Sequence, residues 1–410
     1  MLADNDGGFL LMSHSVPPLT TKRARSPLVV IFLTVFIDLV GFGIVIPVLP
    51  LYGERFGASP LVIGCLLAVY SLMQAVCAPL LGKLSDRVGR RPVLLISLLG
   101  TSAGFLLMGL ANTLPMLFVA RIIDGITGGN ISTAQAYIAD VTPPEQRSRG
   151  MGLIGAAFGL GFIFGPAIGG LLSHISPGAP FLFAAALAAA NATAVYFLLP
   201  ESLPARERRE AGRHIALSEV FHPGNRRILS VVIGVYFCMT LAFSSMTATY
   251  PLFTERRFGF GPSENGWIFA SQGIVGAIIQ GGLLGWLLRV LNDKRLTLIG
   301  GVVLTASLFV LPTSYSLPAL ILATAGAAVG HSLMAAPLNG LASRHVDAAS
   351  QGRLLGVMQS AASMARIVGP VLGGWLLKYD AVAMIAPFGR TPYWVSGLVM
   401  LAACGLATAL

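Results

Sequence analysis

The chain has 410 residues, of which 55% are hydrophobic and only 11% are charged, and its mean hydropathy is +0.78. Soluble domains carry about 25% charged residues, so this composition excludes an ordinary soluble protein and predicts a chain embedded in lipid. The 27 Lys and Arg residues against 17 Asp and Glu residues give a net charge of +10, which by itself indicates either nucleic acid or an anionic membrane as a partner.

Twelve apolar runs are long enough to cross a bilayer as helices. A span needs about 20 mostly apolar residues, because ~30 Å of hydrocarbon is crossed at ~1.5 Å per residue. The runs lie at 28–49, 60–81, 92–111, 114–138, 150–174, 180–199, 228–250, 265–288, 296–312, 317–341, 354–377 and 392–410. We therefore predict an all-α integral membrane protein with twelve transmembrane helices.

The first run contains one acidic residue, Asp38. It lies about ten residues, or ~15 Å, from the start of the run, which places it near the middle of the membrane. A carboxyl group at that depth binds or releases a proton according to its solvation and its neighbours. Asp38 is therefore a candidate proton site, and a satisfied buried carboxylate is the alternative.

The turn between the second and third runs, 82–92, combines glycines with four cations and one carboxylate. Glycine permits a tight backbone reversal, and the carboxylate of Asp86 can accept hydrogen bonds from an arginine. A loop held on the cytoplasmic side by positive charge explains the cations but not their ordered spacing. The candidate gating residues in this loop are Gly82, Asp86, Arg87, Gly89, Arg90 and Arg91.

The fourth run places Arg121 and Asp124 three residues apart, on one face of a helix. Each charge at membrane depth costs ~2.5–3.5 kcal/mol on insertion scales. We predict that both take part in proton coupling, and that Asp38 can meet Arg121 across the first and fourth helices. A self-neutralising pair that merely packs is the alternative.

The fifth run carries small residues at four-residue intervals, which allow helix backbones to approach closely, and a proline, which adds a kink. Helix packing alone is a sufficient explanation of this spacing. The residues of the pattern are Gly155, Gly159, Gly165, Pro166, Gly169 and Gly170.

The two halves of the chain repeat each other. The residues 50–52 reappear as 251–253, and Gly165-Pro166 reappears as Gly369-Pro370 at nearly the same offset. Six helices repeated directly predict two parallel halves related by an axis along the membrane normal. We assign 1–27 to an N-terminal tail, 28–199 to the first half, 200–227 to a charged linker and 228–410 to the second half.

The positive charges fall mostly on one side of the predicted membrane. One side holds 20 of the 27 Lys and Arg residues and the other side holds 5, with Arg121 and Arg366 inside the runs. The 20 lie in the tail, the loop at 82–92, the linker at 200–227 and the turns at 147–149, 289–295 and 344–353. Because cytoplasmic loops carry the excess of Lys and Arg, we predict that both termini are cytoplasmic. The charge then signals membrane orientation, and no nucleic-acid partner is expected.

Further polar side chains within the runs are candidates for a central substrate cavity, although each is equally compatible with hydrogen bonding between helices. They are Tyr70, Gln74, Asn130, Gln135, Gln272, His331, Asn339, Gln359 and Arg366. Arg366 has no acidic residue in its own run. It can pair across the bundle, attract an anionic group or pack beside Gly369 and Pro370.

These motifs resemble those of the major facilitator superfamily. The ordered loop at 82–92 is similar to its signature loop, and Arg121 with its surroundings is similar to the fourth-span motif of its proton-coupled drug efflux members. The glycine–proline run resembles the antiporter signature of the drug:proton antiporter branch, and the overall pattern resembles tetracycline efflux proteins. Those exporters carry acidic residues in their third and ninth spans, whereas 101–110 and 300–311 have none here.

The resemblance implies a proton-driven antiporter that exports small amphipathic compounds or drugs across the inner membrane by alternating access. We expect a monomer whose partners are its substrate, protons and the lipid bilayer, with no cofactor and no metal. A proton-coupled symporter that imports a small metabolite has the same fold and is the alternative. An enzyme is not expected, because the histidines are scattered along the chain.

Overall fold

The computed structural model describes residues 27–143, 146–203, 224–346, 351–384 and 387–410, without the side chains of 147–149 and 352. Most of the predicted tail and the part of the predicted linker at 204–223 therefore lie outside the described residues. The helices are α1 Pro27–Glu54, α2 Pro60–Val88, α3 Arg90–Gly109, α4 Leu114–Thr127, α5 Asn130–Val141, α6 Arg147–Leu172, α7 Ala179–Leu198, α8 Arg226–Phe258, α9 Pro262–Ile278, α10 Leu284–Val290, α11 Asp293–Val310, α12 Leu317–Ser343, α13 Gln351–Val382 and α14 Arg390–Ala407.

Helix boundaries follow local chemistry at several turns. Ser59 precedes α2, and its hydroxyl accepts a hydrogen bond from the backbone N–H of Val62, while Pro60 fits the first helical position. Asn292 caps α11 in the same way, accepting from the N–H of Arg295 at 2.9 Å. Gly89 has φ of 118° between α2 and α3, a conformation that L-residues rarely adopt.

Every predicted apolar run is helical, and ten candidate spans in the described part of the chain are long and apolar enough to cross a membrane. The prediction of one continuous helix at 114–138 was wrong. The chain leaves helical geometry at Gly128 and Gly129, between α4 and α5, because adjacent glycines weaken a helix. The run at 265–288 is also interrupted, by a π-helical turn at Ile279–Leu283 that contains two glycines. The protein is a multi-pass, all-α membrane protein.

The packing of the helices repeats between residues 27–198 and residues 226–407. In the first set α1 packs on α6 and α7, and α3 packs on α4 and α7. In the second set α8 packs on α13 and α14, and α11 packs on α12 and α14. The largest contacts between the two sets are α2 with α13 and α6 with α9. We refer to the two sets as the N half and the C half.

The halves meet closely at one end, which we name the opposite end because it lies away from the loop at 82–92. There the start of α2 contacts α13, since a Cβ added to Gly374 would lie 3.1 Å from Cα of Leu61. The end of α6 contacts the start of α9, since a Cβ on Gly170 would lie 3.0 Å from Cα of Ser263. The carboxylate of Glu54 also pairs with Arg256 at 3.2 Å.

At the other end, which we name the loop end, the large contact of α6 with α9 does not continue onto α10. An added Cβ would meet nothing within 4 Å among the described residues at three glycines of α6 and three glycines of the π-turn and α10. These glycines are Gly152, Gly155, Gly159, Gly281, Gly282 and Gly285. The glycine surfaces of α6 and of α9–α10 are therefore packed at the opposite end and unoccupied at the loop end.

Candidate functional site

An ion pair lies inside the N half, on α4. The guanidinium of Arg121 contacts the carboxylate of Asp124 at 2.8 Å, and the two side chains are only 1% and 5% exposed. Helical geometry brings residues three apart onto one face, so the pair forms within a single helix. Gly104 of α3 makes room for it, because a Cβ there would lie 3.0 Å from Cβ of Asp124.

Tyr70 of α2 is the residue that joins this pair to the rest of the site. Its ring lies under the guanidinium of Arg121, with 4.2 Å between the guanidinium carbon and the ring centroid, a distance at which cation–π attraction is effective. Its hydroxyl accepts a hydrogen bond from Nε2 of Gln74 at 3.1 Å. The charges of Asp38, Asp124, Arg121 and Arg366 all act on Tyr70, so the four charged residues of the predicted membrane core influence one side chain.

The break between α4 and α5 is part of the same site. Gln74 donates a second hydrogen bond, of 2.7 Å, to the carbonyl of Gly128. A carbonyl released from a helix at membrane depth needs such a partner. The interruption therefore ties α2 to the point where α5 begins with Asn130.

Asp38 of α1 lies beside Asn130 and interacts with its side chain, and the charge of Asp124 is also close enough to act on it. Neither amide atom of Asn130 reaches hydrogen-bond geometry with a described residue. The guanidinium of Arg121 contacts Asp124 and the ring of Tyr70. Among the described residues it forms no ion pair with Asp38. The structure thus places Asp38 in the expected cluster without the expected direct pair.

Arg366 approaches the cluster from the C half, on α13, which packs directly against α2. Its guanidinium donates to the hydroxyl of Ser363 at 3.3 Å and interacts with the side chains of Tyr70 and Tyr236. Among the described residues no carboxylate forms an ion pair with it. The site is therefore built from both halves.

The other predicted cavity residues are less closely connected. His331 stacks on Phe243 with 4.2 Å between ring centroids, and Gln272 is buried with its Nε2 unpaired among the described residues. Asn339 donates a hydrogen bond of 2.8 Å to the carbonyl of Ala335, in its own helix. Gln135 and Gln359 are exposed and belong to no hydrogen bond that the structure describes.

The loop at 82–92 organises a second charged cluster, at the loop end of the N half. Arg90 pairs with Asp86 and, at 3.1 Å, with Asp140 at the end of α5. The backbone N–H groups of Arg90 and Arg91 donate to the carboxylate of Glu201 at 2.9 and 3.2 Å. A carboxylate at a helix N-terminus satisfies unpaired N–H groups and complements the helix dipole, so Glu201 fixes the start of α3.

The remaining loop residues differ in their surroundings. Arg91 donates to the carbonyl of Tyr196 and lies over its ring, 5.5 Å from the centroid. Arg87 is exposed, and Gly82 has open space where a Cβ would be. In this conformation the partners found for the loop all belong to the N half or to the segment that follows α7.

The glycine–proline pattern of α6 divides into two parts. Gly165 and Gly169 lie against α1, since added Cβ atoms would come within 2.7 Å of Cα of Gly43 and 3.2 Å of Cα of Ile44. Gly170 and the carbonyl of Pro166 instead face the start of α9, near Ser263 and Gly266, while the ring of Pro166 lies against Gly43 of α1. Gly155 and Gly159 face the open space at the loop end.

Sequence reasoning did not select Tyr236, Asp140 or Glu201 as site residues. Tyr236 lies about 15 Å from the start of α8, and Tyr70 lies about 15 Å from the start of α2. This similar depth in the membrane is the sequence feature that could have identified Tyr236. Asp140 and Glu201 follow the ends of apolar runs, where acidic residues are common. Their roles depend on tertiary contacts with Arg90 that residue spacing does not reveal.

The comparisons with known proteins agree with this architecture. The family model of the Major Facilitator Superfamily matches residues 31–315 and 232–410. The chain is 36% identical over 367 residues to the class D tetracycline resistance protein of Salmonella ordonez, covering 86% of this chain and 90% of the relative. It is 30% identical over 392 residues to multidrug resistance protein 2 of Bacillus subtilis (strain 168), covering 94% and 95%.

A solved structure shows the same fold. A bacterial homologue of the human lysosomal transporter Spinster, in an inward-facing and occupied conformation, superimposes with a TM-score of 0.78 at 16% identity, covering 95% of this chain and 97% of that chain. The sequence-based assignment of the family and the fold is confirmed: the chain belongs to the major facilitator superfamily, in the branch that holds the tetracycline and multidrug resistance proteins.

Proposed function

We propose that the protein is a proton-coupled antiporter that exports small amphipathic compounds across the cytoplasmic membrane by alternating access. The observation that carries the proposal is the cluster around Tyr70, where Asp38 lies beside Asn130 without a paired cation among the described residues. A carboxylate in this position gains or loses a proton as its solvation changes. The tetracycline and multidrug resistance relatives support export as the direction.

Alternating access is supported by the unequal packing of the two ends. The halves are in contact at 60–64 with 370–374 and at 166–170 with 263–266, while the glycines of α6 and α10 leave space at the loop end. In our proposal the halves rock so that the glycine surfaces at the loop end close as those at the opposite end separate. The loop residues Asp86, Arg87, Arg90 and Arg91 then act at the gate of the loop end.

The proposed orientation places the loop end and both termini in the cytoplasm. The positive charge of the loop at 82–92 and of the linker supports this direction, because Lys and Arg are retained on the cytoplasmic side. The open end of the described structure then faces the cytoplasm, from which an exporter collects its substrate.

The proton gradient is sufficient for such a cycle. One proton moving inward yields ~2.3 kcal/mol per 100 mV and ~1.4 kcal/mol per pH unit. At one pH unit and 100 mV the sum supports about a 500-fold gradient of a neutral compound, since a tenfold gradient costs ~1.4 kcal/mol.

The proposal is tested by replacing the carboxyl group of Asp38. Asp38→Asn removes the titratable proton and keeps the shape of the side chain, so we expect loss of efflux driven by a pH gradient, by at least tenfold, with normal membrane insertion. Dye efflux from proteoliposomes with an imposed pH gradient measures this. Glu255→Gln, an exposed acid-to-amide change at the opposite end, is the matched control and is expected to transport normally.

Two results would contradict the proposal. Full gradient-driven efflux by Asp38→Asn would show that the coupling proton binds elsewhere. Accumulation of substrate on the side to which protons flow, rather than exchange against them, would assign the protein to the symporters instead.

A further inference from the structure

The charges of the described membrane core do not balance pair by pair. Arg121 and Asp124 neutralise each other at 2.8 Å within α4. That leaves one anion from the N half, Asp38, and one cation from the C half, Arg366, with no ion-pair partner among the described residues. The charges of both act on Tyr70, and α13, which carries Arg366, packs on α2, which carries Tyr70.

Unpaired charges at this depth are costly and are normally matched by a partner or a ligand. A guanidinium has five N–H donors arranged to bind a carboxylate with two parallel hydrogen bonds. Arg366 uses one weak contact of 3.3 Å, to Ser363, which leaves most of its donors available. Arg366 and Asp38 are both partly accessible in the structure.

Aromatic side chains are grouped in both halves of the site. Phe42 lies 5.8 Å from the ring of Tyr70 and 6.0 Å from that of Phe162, measured between ring centroids. In the C half, Phe243 stacks on His331, and Tyr236 lies near Arg366. Such rings provide apolar surface for the body of an amphipathic molecule.

We infer that the substrates are zwitterionic amphiphiles, whose basic group binds at Asp38 and whose acidic group binds at Arg366 beside Tyr236 and Ser363. This assignment rests on the proposed antiport function. It gives Asp38 and Arg366 different roles in substrate binding. The basic group competes with the proton for Asp38, which exchange requires. The acidic group binds to an arginine that stays charged throughout, so it adds affinity without displacing the proton.

The inference is tested with a pair of dyes that differ only at the acid. Rhodamine B carries a cationic xanthene and a free carboxylate, and its ethyl ester keeps the cation and lacks the carboxylate. We measure equilibrium binding by fluorescence anisotropy to purified protein in lipid nanodiscs, after subtracting binding to empty nanodiscs. Wild-type protein is expected to bind rhodamine B at least tenfold more tightly than the ester.

Three variants test whether Arg366 causes the difference in affinity between the two dyes. Arg366→Gln is expected to remove the preference by weakening rhodamine B binding about tenfold while leaving ester binding within twofold. Arg366→Lys keeps the charge but not the paired donors, so an intermediate preference is expected. Arg289→Gln, at an exposed arginine of α10, is the matched control and keeps the full preference. Thermal melting of each variant shows that the protein is folded.

The outcomes separate this inference from the function on which it rests. Equal binding of both dyes by the wild type, or an unchanged preference in Arg366→Gln, overturns the acid subsite, even if both dyes are exported. Selective binding of rhodamine B without any gradient-driven efflux overturns the antiport proposal and leaves the subsite standing.

Discussion

At the scale of single residues, Tyr70 carries two separable contributions. Its ring supports Arg121 at 4.2 Å, and its hydroxyl accepts from Gln74. A desolvated cation–π contact is worth ~2 kcal/mol, more than a neutral hydrogen bond at ~1 kcal/mol. Tyr70→Phe is therefore expected to lower the efflux rate less than fivefold, and Tyr70→Leu more than tenfold, in the proteoliposome assay. Equal losses in the two variants would mean that the ring does not support Arg121.

At the scale of helices, glycines distinguish the packed from the unpacked part of the interface between the halves. A methyl group at Gly266 of α9 would collide with the carbonyl of Pro166 and lie 3.0 Å from Cα of Gly170, whereas one at Gly281 would meet open space. Overpacking costs ~1–3 kcal/mol, so Gly266→Ala is expected to lower the melting temperature by several degrees and Gly281→Ala to leave it unchanged. A drop in Gly281→Ala alone would show that the loop end is the packed end.

At the scale of the whole molecule, the pair between Glu54 and Arg256 joins the two halves at the opposite end, with side chains 23% and 36% exposed. Replacing the attraction with repulsion in Glu54→Arg is expected to favour separation of that end. Spin labels at Arg55→Cys and Lys378→Cys would report a larger population of long distances by double electron–electron resonance. The charge-reversed double variant, Glu54→Arg with Arg256→Glu, is expected to restore the original distribution of distances between the spin labels. If it does not, the pair has no conformational role.

The sequence predicts the helices and the repeat well, because both depend on local hydropathy and on matching motifs. It does not predict the break after Thr127, since glycines such as Gly128 and Gly129 are also frequent inside continuous membrane helices. Asp38, Arg121, Asp124 and Arg366 are identifiable from their depth in the predicted spans. Their arrangement around Tyr70 is not, because it depends on how separate helices are rotated and packed.

The partner of Arg121 illustrates the same limit. The three-residue spacing to Asp124 is a local relation that a single helix enforces, and it is present at 2.8 Å. The expected contact with Asp38 depends on α1 and α4 facing each other at one height, which the spacing along either helix does not specify. The structure instead places Asn130, the first residue after the break, beside Asp38.

The contact between α2 and α13 also sets the mechanical leverage of the site. Gly64 touches Pro370, Tyr70 lies ~9 Å further along α2, and Gly82 lies ~27 Å away at 1.5 Å per residue. If the helix turns rigidly about this fulcrum by about 15°, an angle known from subunit rotations, Tyr70 moves ~2 Å while Gly82 moves ~7 Å. A short lever arm at the charged cluster and a long one at the loop end would let a gate open fully while the ligand shifts by less than one hydrogen-bond length.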